Sequence, residues 1–510
     1  MTMRITGMNS GLDTESIITE LIKAKSTKKD NLVKAQKKLE YKQDAWKTLN
    51  SKIYTLYNKT INNLRYTTAY KQQKATVSDS SVASVIVGSN ASNGVQNLTV
   101  KSLATSGYLT GAKLNGSYTS STKLSEITGS GISAGGSAKF TITANGTPPT
   151  TISLTGDSTI GDVVSQLKKA GVNANFDEKN QRMFISATST GEEADFQITA
   201  DAGSTGYNVL TALGINESEC LSASADDNGA TRIKGKNAEI TLNGATFKSS
   251  TNTFEINGLT ITAKKETADK EVVTITTADD YDAIYDTIKN FFKEYNTLIN
   301  EMDALYNAED ASDYEPLTDE EKEEMSESEI EKWEQKIKDS ILRRDSTVSE
   351  VSSLMKTAMM KGYEVNGKTM YLSSFGINTL GYFNAADNER NAYHIDGDPD
   401  DENTMGNTDI LKSMIANEPE TVISFFTQLT NELYSQLGEK MKSDDYSSFN
   451  KVYNDKQMTS DYESYKTKIA EQEEKITEAE DKYYKQFSAM ETALAKIQSK
   501  ESALSGLLGG

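Results

Sequence analysis

The side chains able to do chemistry are few. The chain has one histidine, His394, and one cysteine, Cys220. A single imidazole excludes a His-pair zinc site, and a single thiol excludes an intrachain disulfide or a thiolate metal cluster. A Ser-His-Asp triad would have to use His394, yet no G-x-S-x-G elbow stands beside a buried-strand pattern. Cys220 is expected to be a small buried apolar residue. The run HIDGDPDDEN places Asp396, Asp398 and Asp400 at alternate positions, as a calcium loop does with its first ligands. Such a loop needs glycine where Asp401 stands and an acid where Asn407 stands, so a solvated acidic turn is expected. There is no Walker loop, no strand-linked G-x-G-x-x-G and no lysine in a phosphate-binding frame, which argues against a nucleotide enzyme. Carboxylates are too abundant for their proximity in sequence to mark an acid/base pair. No catalytic, cofactor or metal residue is expected, and the chain is predicted not to be an enzyme.

The strongest pattern is a seam. Near the C-terminus Ile469, Ile476, Tyr483, Met490, Ile497 and Leu504 fall seven apart, with Tyr465, Ala479, Phe487 and Leu494 in a second row. Near the N-terminus Ile18, Leu32, Leu39, Trp46 and Ile53 keep the same period, with Leu21, Ala35, Leu49 and Leu56 as the second row and Lys25 and Lys28 as interruptions. Apolar residues at this spacing form the contact stripe of a coiled coil. Both termini are therefore predicted to be helices that meet, although more than four hundred residues separate them. The aromatics on the seam, Trp46, Tyr483 and Phe487, are expected to pack there rather than to stack on a ligand.

Composition narrows the partners. The 54 basic and 74 acidic residues give a net charge of −20, which repels a phosphate backbone and argues against nucleic-acid binding. No stretch approaches the roughly 18 apolar residues a membrane span needs, and the first residues lack the apolar core of a cleaved hydrophobic signal. A soluble protein without membrane insertion is predicted, exported, if at all, by a route without a cleaved signal.

The character of the chain changes along its 510 residues, enough for about three domains. Residues 1 to 11 read as a flexible leader. Asp13 then stands at an N-cap position with Glu15 in the first turn, so a helix should start there and run to about Tyr70. Between 23 and 52 that helix carries ten lysines against three acids. From about 72 to 277 short alternating runs such as NLTV, KFTIT and AEITLNG predict strands, with one helical exception at Ile160 to Ala170. Helix returns near Tyr281 with a broad apolar stripe. The stretch 301–340 then holds sixteen acids and four bases, reading as a solvated insertion or as an acidic surface for the basic terminal helix. The fold class predicted is multidomain α+β: a terminal helical coiled-coil stalk, a helical inner domain and inserted β-rich outer domains. Its expected parts are 1–45 with 465–510 as stalk, 46–71 with 278–464 as helical inner domain including the acidic insertion, 72–112 with 236–277 as one β domain, and 113–235 as the outermost.

Specific segments carry a resemblance. SGLDTESIITELIKAK at 10–25 and YYKQFSAMETALAKIQSKESALSGLL at 483–508 are similar to the terminal signatures of bacterial flagellar filament-capping proteins, the hook-associated protein 2 class. AEITLNGATFKSSTNTFEINGLTITAKK at 238–265 resembles the hook motif of flagellar axial proteins, and 159–198 resembles the α+β outer domains of flagellins and caps. LKSMIANEPETVISFF at 411–426, preceded by YLSSFGI, is similar to the family's late helical segment. The resemblance implies a secreted structural protein at the flagellar tip that forms a ring-like homo-oligomer, promotes folding and insertion of exported flagellin and prevents its leakage. Implied partners are flagellin, the filament tip or hook-filament junction, further copies of the chain and a flagellar export chaperone. Export would follow the flagellar type III route. Two other roles stay open at this point: a hook-filament junction protein, and a surface adhesin binding host mucin or glycans through the outer domains.

Overall fold

The computed structural model describes residues 11–88, 90–220, 229–269 and 271–508, so the expected leader at 1–11 lies, all but Gly11, outside the described residues. Two compact units result: residues up to Tyr70 together with those from Tyr281 onward, and Lys71–Asp280. The multidomain mixed α+β fold expected from the sequence is the one observed.

The Lys71–Asp280 unit is built from antiparallel sheets around two cores. One core lies under a five-stranded sheet ordered Gln73–Val77, Val273–Asp279, Gly94–Ser102, Ala238–Leu242 and Ala245–Ser249. Alternation aims Ala238, Ile240 and Leu242 inward beside Leu98, Val100 and Ile275. The hairpins close on Asn243-Gly244 and Asn257-Gly258, whose φ values of 50°, 86°, 49° and 78° suit two-residue turns that need left-handed backbone at both positions. The second core is lined by Leu109, Phe140, Ile142, Val163, Leu167 and Ile185, among others. It contains the expected helix, observed at Ile160–Lys169, started by a reciprocal Thr159–Asp162 capping box and followed by Gly171 at φ 94°. A buried guanidinium, Arg232, ties this region together: it donates to Asp195 at 2.8 Å and lies 3.6 Å from Glu217. Burial pushes the Glu217 carboxyl above the usual carboxylate range.

The other unit is helical. Helices Tyr281–Tyr306, Ser346–Met360 and Pro419–Lys440 surround an aromatic core in which Phe425 packs 4.6 Å from Phe375 and 5.3 Å from Phe426, the latter edge-on at 84°. Pro419 occupies the first helical turn, where its missing N–H costs no hydrogen bond. The N-terminal helix, Thr14–Thr55, continues through a π-helical turn, Leu56–Ile61, into Asn62–Leu64. At that turn Tyr57 stacks on Tyr434 at 4.4 Å, and Arg65 covers the same ring at 3.8 Å. The long C-terminal helix is Asp455–Leu508.

Candidate functional site

The N-terminal helix begins where its cap predicts. The Asp13 carboxylate accepts from the Ser16 backbone N–H at 3.0 Å and from the Ser16 hydroxyl at 2.6 Å, which hold its pKa below the usual carboxylate range. Lys25 and Lys28 do not break the helix, because a straight lysine stem has good helix propensity and its ammonium stays in water.

The two terminal helices pack antiparallel along the predicted seam. At its base Trp46 stacks on Tyr453 at 5.3 Å with 13° between the ring planes. One residue past Leu49, the Asn50 amide donates to the Asn450 carbonyl at 3.1 Å, and its oxygen accepts from the Val452 N–H at 2.9 Å. Those bonds satisfy loop backbone that the C-terminal helix cannot reach. Toward the far end the Tyr484 hydroxyl donates to Glu15 at 2.9 Å.

Burial along the seam is uneven. Ile18 and Trp46 are buried, at 2% and 1% exposed. Leu32, Leu39, Ile469, Ile476, Tyr483, Phe487, Met490 and Leu494 are half-buried. Leu21 is 38% exposed, and Ile497 and Leu504 reach 60% and 62%. Two helices cover only the facing side of each other's stripe, which leaves most stalk positions half-buried, and Ile497 and Leu504 lie beyond the Glu15–Tyr484 contact. Sequence reasoning missed Asn50, Tyr453 and Tyr484. Heptad counting sees apolar periodicity, whereas Asn50 is polar, Tyr453 precedes the helix, and Tyr484 sits one position off the repeat.

The residues with possible chemistry lie elsewhere and are occupied. His394 Nδ1 is 2.6 Å from Asp401. Lys289 donates to Asp398 at 2.5 Å and to Asp400 at 2.7 Å, and the Asn407 amide donates to Asp396, so the alternate carboxylates hold protein donors. Asp398 and Asp400 border a cleft of about 630 Å³ between the Tyr281–Tyr306 helix and the 389–403 segment. Cys220 is half-buried rather than fully buried, and its Sγ donates to the Asn216 carbonyl at 3.3 Å. Burial pushes the thiol up to about 11, away from nucleophilic use.

Paired terminal helices rooted in a helical unit, with a β-rich unit from the middle of the chain and no catalytic constellation among the described residues, give the class of a multidomain α+β protein with a structural rather than an evident catalytic site. Residues 235–499, more than half of the chain, match the family description "Flagellar hook-associated protein 2 C-terminus", and residues 10–107 match "Flagellar hook-associated protein 2 N-terminus". The flagellar hook-associated protein 2 of Halalkalibacterium halodurans is 23% identical over 98% of this chain and 99% of that protein. The A-type flagellar hook-associated protein 2 of Pseudomonas aeruginosa is 27% identical over 58% of this chain and 62% of that protein. Among solved structures, the D1-D2-D3 domains of the Escherichia coli flagellar cap protein FliD align with a TM-score of 0.49 and 18% identity, covering 78% of this chain and 96% of that one. The chain belongs to the flagellar hook-associated protein 2 family, a family of structural proteins of the flagellum.

Proposed function

We propose that this protein caps the distal tip of the extracellular flagellar filament as a closed ring of identical chains. The terminal helices point into the filament, and exported flagellin folds and inserts beneath the ring without leaking away. Family membership supports the cap role. The observation that carries the assembly reading is the open end of the seam: on the C-terminal helix Phe487, Met490 and Leu494 are half-buried, whereas the next seam positions, Ile497 and Leu504, are 60% and 62% exposed. Exposed apolar residues at seam spacing mark a surface that gains from a partner, and helices of the filament would supply one.

The same reading assigns residues 1–45 and 465–510 to the leg, the helical body to spacing, and the β domains, with 113–235 outermost, to the outer plate. Passage unfolded through the flagellar type III channel, with an export chaperone on the helical ends, fits a chain whose single cysteine forms no disulfide. No helix of the described residues is long and apolar enough to cross a membrane. Native mass spectrometry with negative-stain imaging tests the proposal: a closed plate with legs is expected. A monomer at micromolar concentration that also fails to bind isolated filament ends would overturn it.

A further inference from the structure

The acidic insertion has a place on the stalk. It is not a loose loop: Thr318–Glu321 and Ser326–Glu329 form reciprocal capping boxes at the starts of Asp319–Glu323 and Glu327–Ser340. The Trp333 indole lies 4.7 Å from the Tyr314 ring and donates to the Glu315 carbonyl at 2.8 Å. This self-contained element lies along the basic N-terminal helix. Lys34 pairs with Glu321 at 2.9 Å and approaches Glu315 at 3.9 Å. The buried Tyr41 ring has the Lys338 ammonium 4.9 Å from its centroid on the insertion side and Lys37 at 5.2 Å from its own helix, and Ile337 is 2% exposed. Lys42 and Lys52 pair with Asp345 and Glu301 at 2.8 and 2.7 Å, just beyond the two ends of the insertion's free stretch.

Helix geometry gives these contacts a consequence. At about 100° per residue, Lys34 and Tyr41 project roughly 140° to 160° away from Leu39 and the seam. The N-terminal helix is therefore sandwiched near residues 34–42, with the C-terminal helix on one side and the insertion on the other. The ion pairs and the cation–π contact between this helix and the insertion lie at Lys34 and Tyr41.

We propose that residues 309–340 form a collar that sets how far the stalk enters the filament. A site that accepts a two-helix stalk accepts it up to about Lys34, where a third, acidic layer widens the cross-section and brings net negative charge to the rim. This rests on the reading of the stalk as the filament-inserting leg. The free length, from Thr14 to Lys34, is about 30 Å.

Maleimide-polyethylene glycol labelling of capped filaments from the native bacterium tests it. The background is Cys220→Ser, with single cysteines introduced as Thr27→Cys, Lys38→Cys or Thr48→Cys, all at exposed positions. With the collar intact, the label at position 27 should be blocked and those at 38 and 48 should react as in the free chain. Replacing 309–340 with a Gly-Ser linker, or loosening the contact with Glu315→Lys plus Glu321→Lys, should slow labelling at 38 at least fivefold while 48 stays open. The charge-reversed pair releases the insertion from Lys34 but keeps its chain, its Tyr314–Trp333 contact and its Ser326–Glu329 capping box, so a folding failure of the deletion leaves the test intact. The collar is wrong if 38 is blocked in the intact chain, or if neither variant changes it. If instead position 27 labels as fast in filaments as in the free chain, the stalk reading itself fails.

Discussion

The two ends of the N-terminal helix are held by different kinds of packing. At the base, Trp46, Leu49 and Ile53 are at most 1% exposed and join the aromatic core around Phe291 and Phe425. Farther out, Leu32 and Leu39 are half-buried and Leu21 is 38% exposed, although the residue types and period are the same. The same heptads give a sealed core where several helices converge and a mostly open stripe along the stalk, in which Ile18 alone of the seam positions named is buried. An open stripe is where a partner would bury further apolar surface, as the proposed function requires.

The sharpest test of the contrast is at the sealed end. Phe425→Ala should lower the stability of the helical unit by about 4 kcal/mol, because it removes a fully buried ring and leaves a cavity between Phe375 and Phe426. Differential scanning calorimetry should show this transition moving while that of the Lys71–Asp280 unit stays. Trp46→Ala should cost about 3 kcal/mol, since the lost stacking partner Tyr453 lies at the edge of the same core. A loss as small as that of Leu21→Ala would mean the base is no better packed than the stalk. Asn50→Ala should cost about 2 kcal/mol by stranding the Asn450 carbonyl and the Val452 N–H, with faster amide exchange at the start of the C-terminal helix.

At the open end the effect should move from stability to assembly. Ile476→Asp with Met490→Asp puts charges on half-buried seam positions, so the global transitions should shift by less than about 1 kcal/mol in the free chain. Filament growth should nonetheless fail, with flagellin appearing in the medium, because a seam closed by filament partners would bury those charges unpaired. Normal-length filaments would refute the role of this helix. The smallest effect is expected from Asp13→Ala, which should speed amide exchange a few-fold at residues 14–18 only.

Much of this was readable because it is local. Asp13 as a cap, the helix at Ile160–Lys169 between Thr159 and Gly171, and the alternation of AEITL each follow from neighbours in sequence. The acidic insertion was legible only as a choice between a solvated loop and a surface for the basic helix. Lys34 and Glu321 are 287 positions apart, so no spacing rule links them. Tyr453 was invisible for the same reason: its role depends on Trp46, brought to it by the folded-back chain.

The sequence by itself determined that both termini are seam-forming helices, that β structure fills the middle and that the chain belongs with flagellar caps, since periodicity and motif are properties of a one-dimensional string. Tertiary structure alone decided which heptads are sealed and which stay open, and where the acidic insertion rests. Burial depends on how many elements converge at a point, and convergence is set by contacts between residues hundreds of positions apart.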